Sequence, residues 1–247
     1  MIGTGLILTA GLVGLCLGSY ATTAGLRWGE GRQASLGRSC CDQCGAQLKA
    51  FETLPLVSFL GLRGACGRCG GRIARIHPAG EALGALIAVA PMLMLAPVPA
   101  MLCSGLGLAL LAAAVVDLRT LRLPDPIVLA IALLSIGLAA QQSWLRLAEG
   151  LIAAACAFAV LGALRWGHAA ARGVDGLGLG DVKLIGALAL WLGAATPLVL
   201  ALASALGLAA FGLRRALGGR LPFGPCIALA AWPLGVAREA GLWRLWT

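Results

Sequence analysis

The sequence predicts an all-α polytopic membrane protein of about eight transmembrane helices, with one small polar insert after the first span. Three observations predict it. Of the 247 residues, 60% are hydrophobic and only 12% are charged, against about 25% charged in ordinary soluble domains. The mean hydropathy is +0.93, which fits a bilayer rather than water as the solvent. The charges are gathered in a few loops between uncharged runs, several of them long enough to cross a core about 30 Å thick with about 20 residues.

Residues 2–26 carry no charge and make the first span. No basic segment precedes them and Arg27 follows, the reverse of a signal-peptide layout. This run therefore reads as an uncleaved span with its N-terminus outside. Residues 27–81 form a basic, Gly-rich insert. Residues 82–116 are again uncharged, too long for one straight helix, and Pro97-Val98-Pro99 offers a turn between two spans. Asp117 to Asp125 reads as a short polar loop. Spans follow at 126–145 and 147–164, then a second polar loop at 165–183 that includes Asp175 as an exposed charge. Residues 184–213 divide near Gly193 to Pro197, and a last span begins near Phe223. Three divisions follow: the first helix (1–26), the insert (27–81) and the remaining core (82–247).

The net charge is +9. The cations lie between apolar runs, which is the pattern of membrane topology and not of a nucleic-acid surface. With the N-terminus outside, the cation-rich loops fall on the cytoplasmic side. That bias places the insert, Asp117 and Asp181 at the cytoplasmic face.

Asp117 closes the apolar run LALLAAAVV, and Asp181 sits in GLGLGDVKL just before another. An ionised carboxylate in a bilayer costs about 2.5 kcal/mol or more, so such residues face protein or water-filled space and are commonly functional. Two carboxylates held close divide into an acid and a base, the division that peptide hydrolysis needs. Gly176, Gly178 and Gly180 alternate before Asp181 and permit close backbone approach. Each aspartate also fits a plain helix cap. Asp125, in Leu-Pro-Asp-Pro, fits a loop or cap better than a catalyst. Lys183 suits an interfacial anchor and a modulator of the pair equally. Glu81 reads as a span-entrance residue, capping the helix or paired to a cation.

Cys41-x-x-Cys44 and Cys66-x-x-Cys69 lie in the insert with 21 residues between the pairs. This spacing matches a zinc ribbon, in which four thiolates complete a closed tetrahedral site with no catalytic water. An insert with little apolar content needs such a staple to fold. Cys40 abuts Cys41 and is a possible decoy. The lone His77 and His168 read as surface or interfacial residues.

Taken together, these motifs resemble the type IV prepilin peptidases, GxGD-type aspartic proteases that combine leader peptidase and N-methyltransferase activities. The resemblance rests on Gly18-Ser19-Tyr20 with Arg27, the segment Arg38 to Cys44, and Leu54-Pro55-Leu56-Val57-Ser58. It continues through Arg63 to Cys69, Pro78 with Glu81, and Asp117 followed by Leu123-Pro124-Asp125. It ends with Gly178-Leu179-Gly180-Asp181-Val182-Lys183-Leu184 and Pro222-Phe223-Gly224-Pro225. It implies Asp117 and Asp181 as the dyad, with Gly178, Gly180, Lys183 and Asp125 in support. It implies a prepilin or pseudopilin substrate, cleaved after the Gly that ends a basic leader, in the bacterial inner membrane. It also implies methylation of the new N-terminus with S-adenosylmethionine, associated with the insert. Asp42, Thr53 and Ile76-His77 depart from the usual pattern, all within the insert. The competing readings are a peptidase without methylation, an ion-coupled transporter using the aspartates, and a membrane-anchored zinc-ribbon scaffold.

Overall fold

The computed structural model describes residues 3–29, 31, 38–174, 176–215 and 221–242. The architecture is helical throughout. The long helices are α1 (Thr4–Gly29), α3 (Ile76–Met94), α4 (Pro97–Thr120), α5 (Asp125–Gln142), α6 (Trp144–Arg172), α7 (Leu179–Leu192), α8 (Thr196–Arg215) and α9 (Gly224–Glu239). A short α2 (Val57–Gly61) lies in the insert, after a 3₁₀ turn at Ala50–Thr53. The only β pairing among the described residues is two isolated bridges, Cys40 with Gln47 and Ala65 with Arg72.

Eight long helices occupy the eight predicted places. Among the described residues, six segments are long and apolar enough to cross a membrane, and one of them, Leu179–Gly212, joins α7 to α8. The break between those two is the 3₁₀ turn Gly193–Ala195, where Gly193 has φ +52°. Pro97 opens α4, where its missing N–H costs no hydrogen bond.

The helix ends differ from the sequence reading in an informative way. α1 continues to Gly29 and α3 begins at Ile76, so both penetrate the 27–81 segment. Asp117 is not in a loop. α4 runs on to Thr120, and Leu121 closes it in the left-handed region (φ +54°), donating its N–H to the Asp117 carbonyl. α6 likewise runs through the polar stretch to Arg172, because Leu-Arg-Trp-Gly-His-Ala-Ala-Ala-Arg is mostly helix-forming despite its charges. Asp175 lies outside the described residues.

Glycines set a close contact between α1 and α3. Gly14 and Gly18 of α1 lie against Gly80 and Gly84 of α3, and a Cβ on Gly14 would stand 2.5 Å from the Gly84 carbonyl oxygen. In lipid, where apolar burial gives little drive to association, this close van der Waals approach supplies it. The central core comes from α4, α5, α7 and α9, with Leu106, Leu110, Ile131, Leu138, Leu184, Leu188 and Ile227 fully buried. Large apolar residues elsewhere point outward, among them Leu8 and Leu12 on α1 and Leu145, Ile152 and Leu164 on α6. That inside-out pattern is lipid-facing surface. The two aspartates belong to α4 and α7, the central helices.

Candidate active site and metal centre

Asp117 is buried in the last turn of α4. Its Oδ2 accepts a hydrogen bond of 2.8 Å from the backbone N–H of Gly224, the first residue of α9. A Cβ on Gly224 would lie 2.9 Å from the same oxygen, so a side chain there would displace the carboxylate. Asp181 is in the first turn of α7 and half-buried. Gly178 leaves room for its carboxylate, since a Cβ there would stand 2.8 Å from Asp181 Oδ2. Gly180 lets the start of α7 lie on Leu123 of the α4–α5 turn. Asp117 lies within electrostatic range of Asp181 although the two are 64 positions apart in the chain (181 − 117).

Lys183 and Asp125 meet each other. Lys183 Nζ is 2.7 Å from Asp125 Oδ1, and the carboxylate is largely exposed. This pair ties the start of α7 to the start of α5 beside the buried aspartates. Arg165 of α6 donates to the Leu177 carbonyl at 2.6 Å and holds the segment entering α7. His168 lies 2.9 Å from the Val174 carbonyl.

The opposite ends of α6, α7 and α9 are joined by a second polar network. Glu149 accepts from the Ala194 N–H at 2.8 Å and pairs with Arg146 and Arg238. Arg238 also donates to the Trp191 and Leu192 carbonyls. This network closes the end of α7 remote from Asp181.

Glu81 corrects its sequence reading. It does not cap α3, and among the described residues it pairs with no cation. It is buried, its Oε1 accepts from the Ser19 hydroxyl at 2.7 Å, and its Oε2 accepts from the Leu56 N–H at 2.7 Å. One carboxylate thereby joins α1, α3 and the insert. Sequence reasoning missed this role and that of Gly224; the signal for the latter was a lone Gly between two prolines at a helix start.

The four predicted cysteines converge. The Sγ atoms of Cys41, Cys44, Cys66 and Cys69 all lie within 4.8 Å of one another, and Cys40 stands outside the group. Two copies of one turn build it. Cys41 N–H bonds the Ala46 carbonyl and Gly45 N–H the Cys41 carbonyl; Cys66 and Gly71, then Gly70 and Cys66, repeat the pattern. Gly45 and Gly70 each take φ +68°, which the position after the second cysteine demands. The donor set fits a metal ion: tetrahedral zinc with bonds of about 2.3 Å wants sulfurs about 3.8 Å apart, and Cys41 and Cys69 are 4.0 Å apart. Backbone N–H groups of Cys69 and Arg68 pull the Cys66 thiol down to about 7. The Gly71 N–H also lowers Cys69, but hydrogen bonding to the Cys44 thiol and desolvation together push it up to about 11. Asp42 and His77, two of the positions that depart from the family pattern, face each other at 3.4 Å. They clip the first cysteine turn to the start of α3.

Fold and site define a polytopic helical membrane protein with two carboxylates in electrostatic reach of each other and a separate four-thiol cluster that could hold a metal ion. The Bacterial Peptidase A24 N-terminal domain matches residues 12–95, which include all four cysteines. The Type IV leader peptidase family matches residues 104–213, which include both aspartates. A prepilin leader peptidase/N-methyltransferase of Aeromonas hydrophila is 36% identical over 203 residues, covering 79% of this chain and 70% of that protein. Proteins of the same name are similar in Burkholderia pseudomallei (35%, covering 77% of this chain and 64% of that one) and in Neisseria gonorrhoeae (31%, covering 83% and 73%). No solved structure matches. The chain belongs to the prepilin leader peptidase/N-methyltransferase family.

Proposed function

We propose that this protein is a prepilin peptidase of the bacterial inner membrane that removes the leader of type IV prepilins or pseudopilins after a Gly. Asp117 and Asp181 are its dyad. The observation that carries the assignment is their placement within electrostatic reach of each other on two central helices, with Asp117 oriented by the Gly224 N–H and Asp181 by the space that Gly178 leaves.

The chemistry follows from the pair. One carboxyl keeps its proton and the other is the base that takes a proton from water. The resulting nucleophile attacks the scissile carbonyl, and the protonated partner delivers its proton to the leaving amine when the tetrahedral intermediate collapses. The two groups titrate as a unit. The Gly224 N–H occupies one Asp117 oxygen and fixes the orientation of the other. Cytoplasmic orientation of the site rests on the Lys and Arg bias of the loops. It agrees with a substrate whose leader is basic.

The second half of the proposal is N-methylation with S-adenosylmethionine, with the 27–81 insert serving methylation and 82–247 the peptidase. It is supported by the relatives' name and by the way the two family matches divide the chain. S-adenosylmethionine would supply an electrophilic methyl group to the new N-terminal amine. The described residues contain no strand–turn–helix cradle for such a cofactor. Cys41, Cys44, Cys66 and Cys69 would hold a structural zinc ion, their four thiolates leaving no place for water. It would staple the insert and take no part in cleavage.

The test is Asp117→Asn and Asp181→Asn, each assayed on a prepilin in detergent by gel shift and product mass. Each leaves the prepilin uncleaved while the protein stays inserted and folded. Full processing by either variant refutes the dyad, and the product mass with added S-adenosylmethionine separates peptidase from methylase.

A further inference from the structure

The insert presents four large apolar side chains to its surroundings at three-residue spacing: Phe51, Leu54, Val57 and Leu60, between 50% and 73% exposed. A polar insert in water has no reason to show them, and exposed apolar surface of this kind marks a binding face. We propose that this ridge is seated in the lipid: residues 50–61 lie in the headgroup and acyl boundary of the leaflet on the insert's side.

Depth is fixed by Glu81. α3 has 19 residues, a length of about 28 Å, close to the hydrocarbon thickness. Its first residue, Ile76, therefore sits near the boundary, and Glu81 is five residues further in, about 7 Å. Side chains on a helix lean toward its N-terminus, here toward the boundary. The Glu81 carboxylate accepts the Leu56 N–H at 2.7 Å, so the backbone in the middle of the ridge is held at or just beneath that level. Leu56 takes φ +59°, a conformation that persists in a non-glycine only where its surroundings impose it.

Two further marks agree. Ser19 of α1 bonds the same carboxylate, and its neighbour Tyr20 is 55% exposed. An outward-facing tyrosine at that level is the aromatic signature of a membrane interface. α3, which the Glu81–Leu56 bond ties to the ridge, also exposes Leu83 and Leu86. Its charge complements a bilayer surface. Exposed Lys49 and Arg63 flank the ridge, Lys49 lying 5.8 Å from the Phe51 ring centroid, as an apolar segment bordered by cations would on anionic headgroups.

The test places a benzophenone amino acid at Leu54, Val57 or Leu60, one at a time, in the full chain. The protein is reconstituted in vesicles of phosphatidylethanolamine and phosphatidylglycerol, irradiated, and its adducts identified by mass. Leu12, exposed on α1, is the lipid control, and exposed Gln47 beside the cysteines is the water-side control. Lipid adducts at the three ridge positions, within a few-fold of Leu12 and well above Gln47, bear the proposal out. Adducts to a second copy of the chain, or none at the ridge while Leu12 labels, overturn it. Retained elution volume and metal content show that each variant is folded. The readout is independent of proteolysis, so it stands or falls separately from the dyad.

Discussion

Gly224→Ala tests whether Asp117 is held in place for chemistry. A Cβ at this position would sit 2.9 Å from Asp117 Oδ2 and 3.2 Å from its Cβ and Cγ, where ordinary contact begins at 3.4 Å. The carboxylate has to retreat by about half an ångström, and its 2.8 Å bond from the Gly224 N–H has to lengthen or bend as it does. A misplacement of about 1 Å in a catalytic geometry costs up to about a hundredfold. Half of that predicts a fall in kcat of about tenfold, or about 1.4 kcal/mol of barrier. The substrate's own contacts are untouched, so KM should hold. The assay is initial-rate loss of the leader from a prepilin by purified protein in detergent. Gly212→Ala serves as the control, because nothing lies within 4 Å of its Cβ. A Gly224→Ala enzyme cleaving at the parental rate refutes the reasoning, since Asp117 would then need no fixed orientation. A matching drop in Gly212→Ala refutes it equally.

Other outcomes are checked more briefly. Cys44→Ser removes one of four thiolates and should reduce the metal from about one ion per chain, the stoichiometry of a four-thiolate site, to well below one by elemental analysis; full retention excludes the four-cysteine site. Gly14→Leu has to push α1 from α3, since even its Cβ meets the Gly84 oxygen at 2.5 Å and the Ala88 Cβ at 2.6 Å. It should lower stability by about 1–3 kcal/mol, read as an earlier unfolding midpoint in detergent, and an unchanged midpoint removes the claim that this contact is tight.

The helical order was legible because lipid imposes a simple rule. A backbone without water bonds to itself, so an uncharged run of sufficient length becomes a helix, and charges mark where helices end. That rule is coarse at the ends themselves. The stretch Leu118-Arg119-Thr120 reads as a loop by charge, yet it is helical because Leu121 supplies a left-handed cap. The run Arg165 to Arg172 reads as a loop by the same logic and is helical because its alanines favour it. The four cysteines were legible for a different reason: a metal site closes locally, within 29 residues (41 to 69). Glu81 was misread because its partners, a hydroxyl 62 positions away and an N–H 25 positions away, leave no charge pattern in the chain.

By itself, then, the sequence determined the membrane class, the division into spans and insert, the thiol cluster and the two candidate aspartates. These depend on composition, local periodicity and short spacing. Only the tertiary structure decided what each aspartate leans on: Gly224 for Asp117, the void at Gly178 for Asp181, and Lys183 diverted to Asp125. It also decided how the insert is anchored, through one carboxylate shared by α1, α3 and Leu56. Such partners are set by which helices pack side by side. That choice is made by glycine contacts and buried surfaces distributed along the whole chain, which no single stretch of sequence contains.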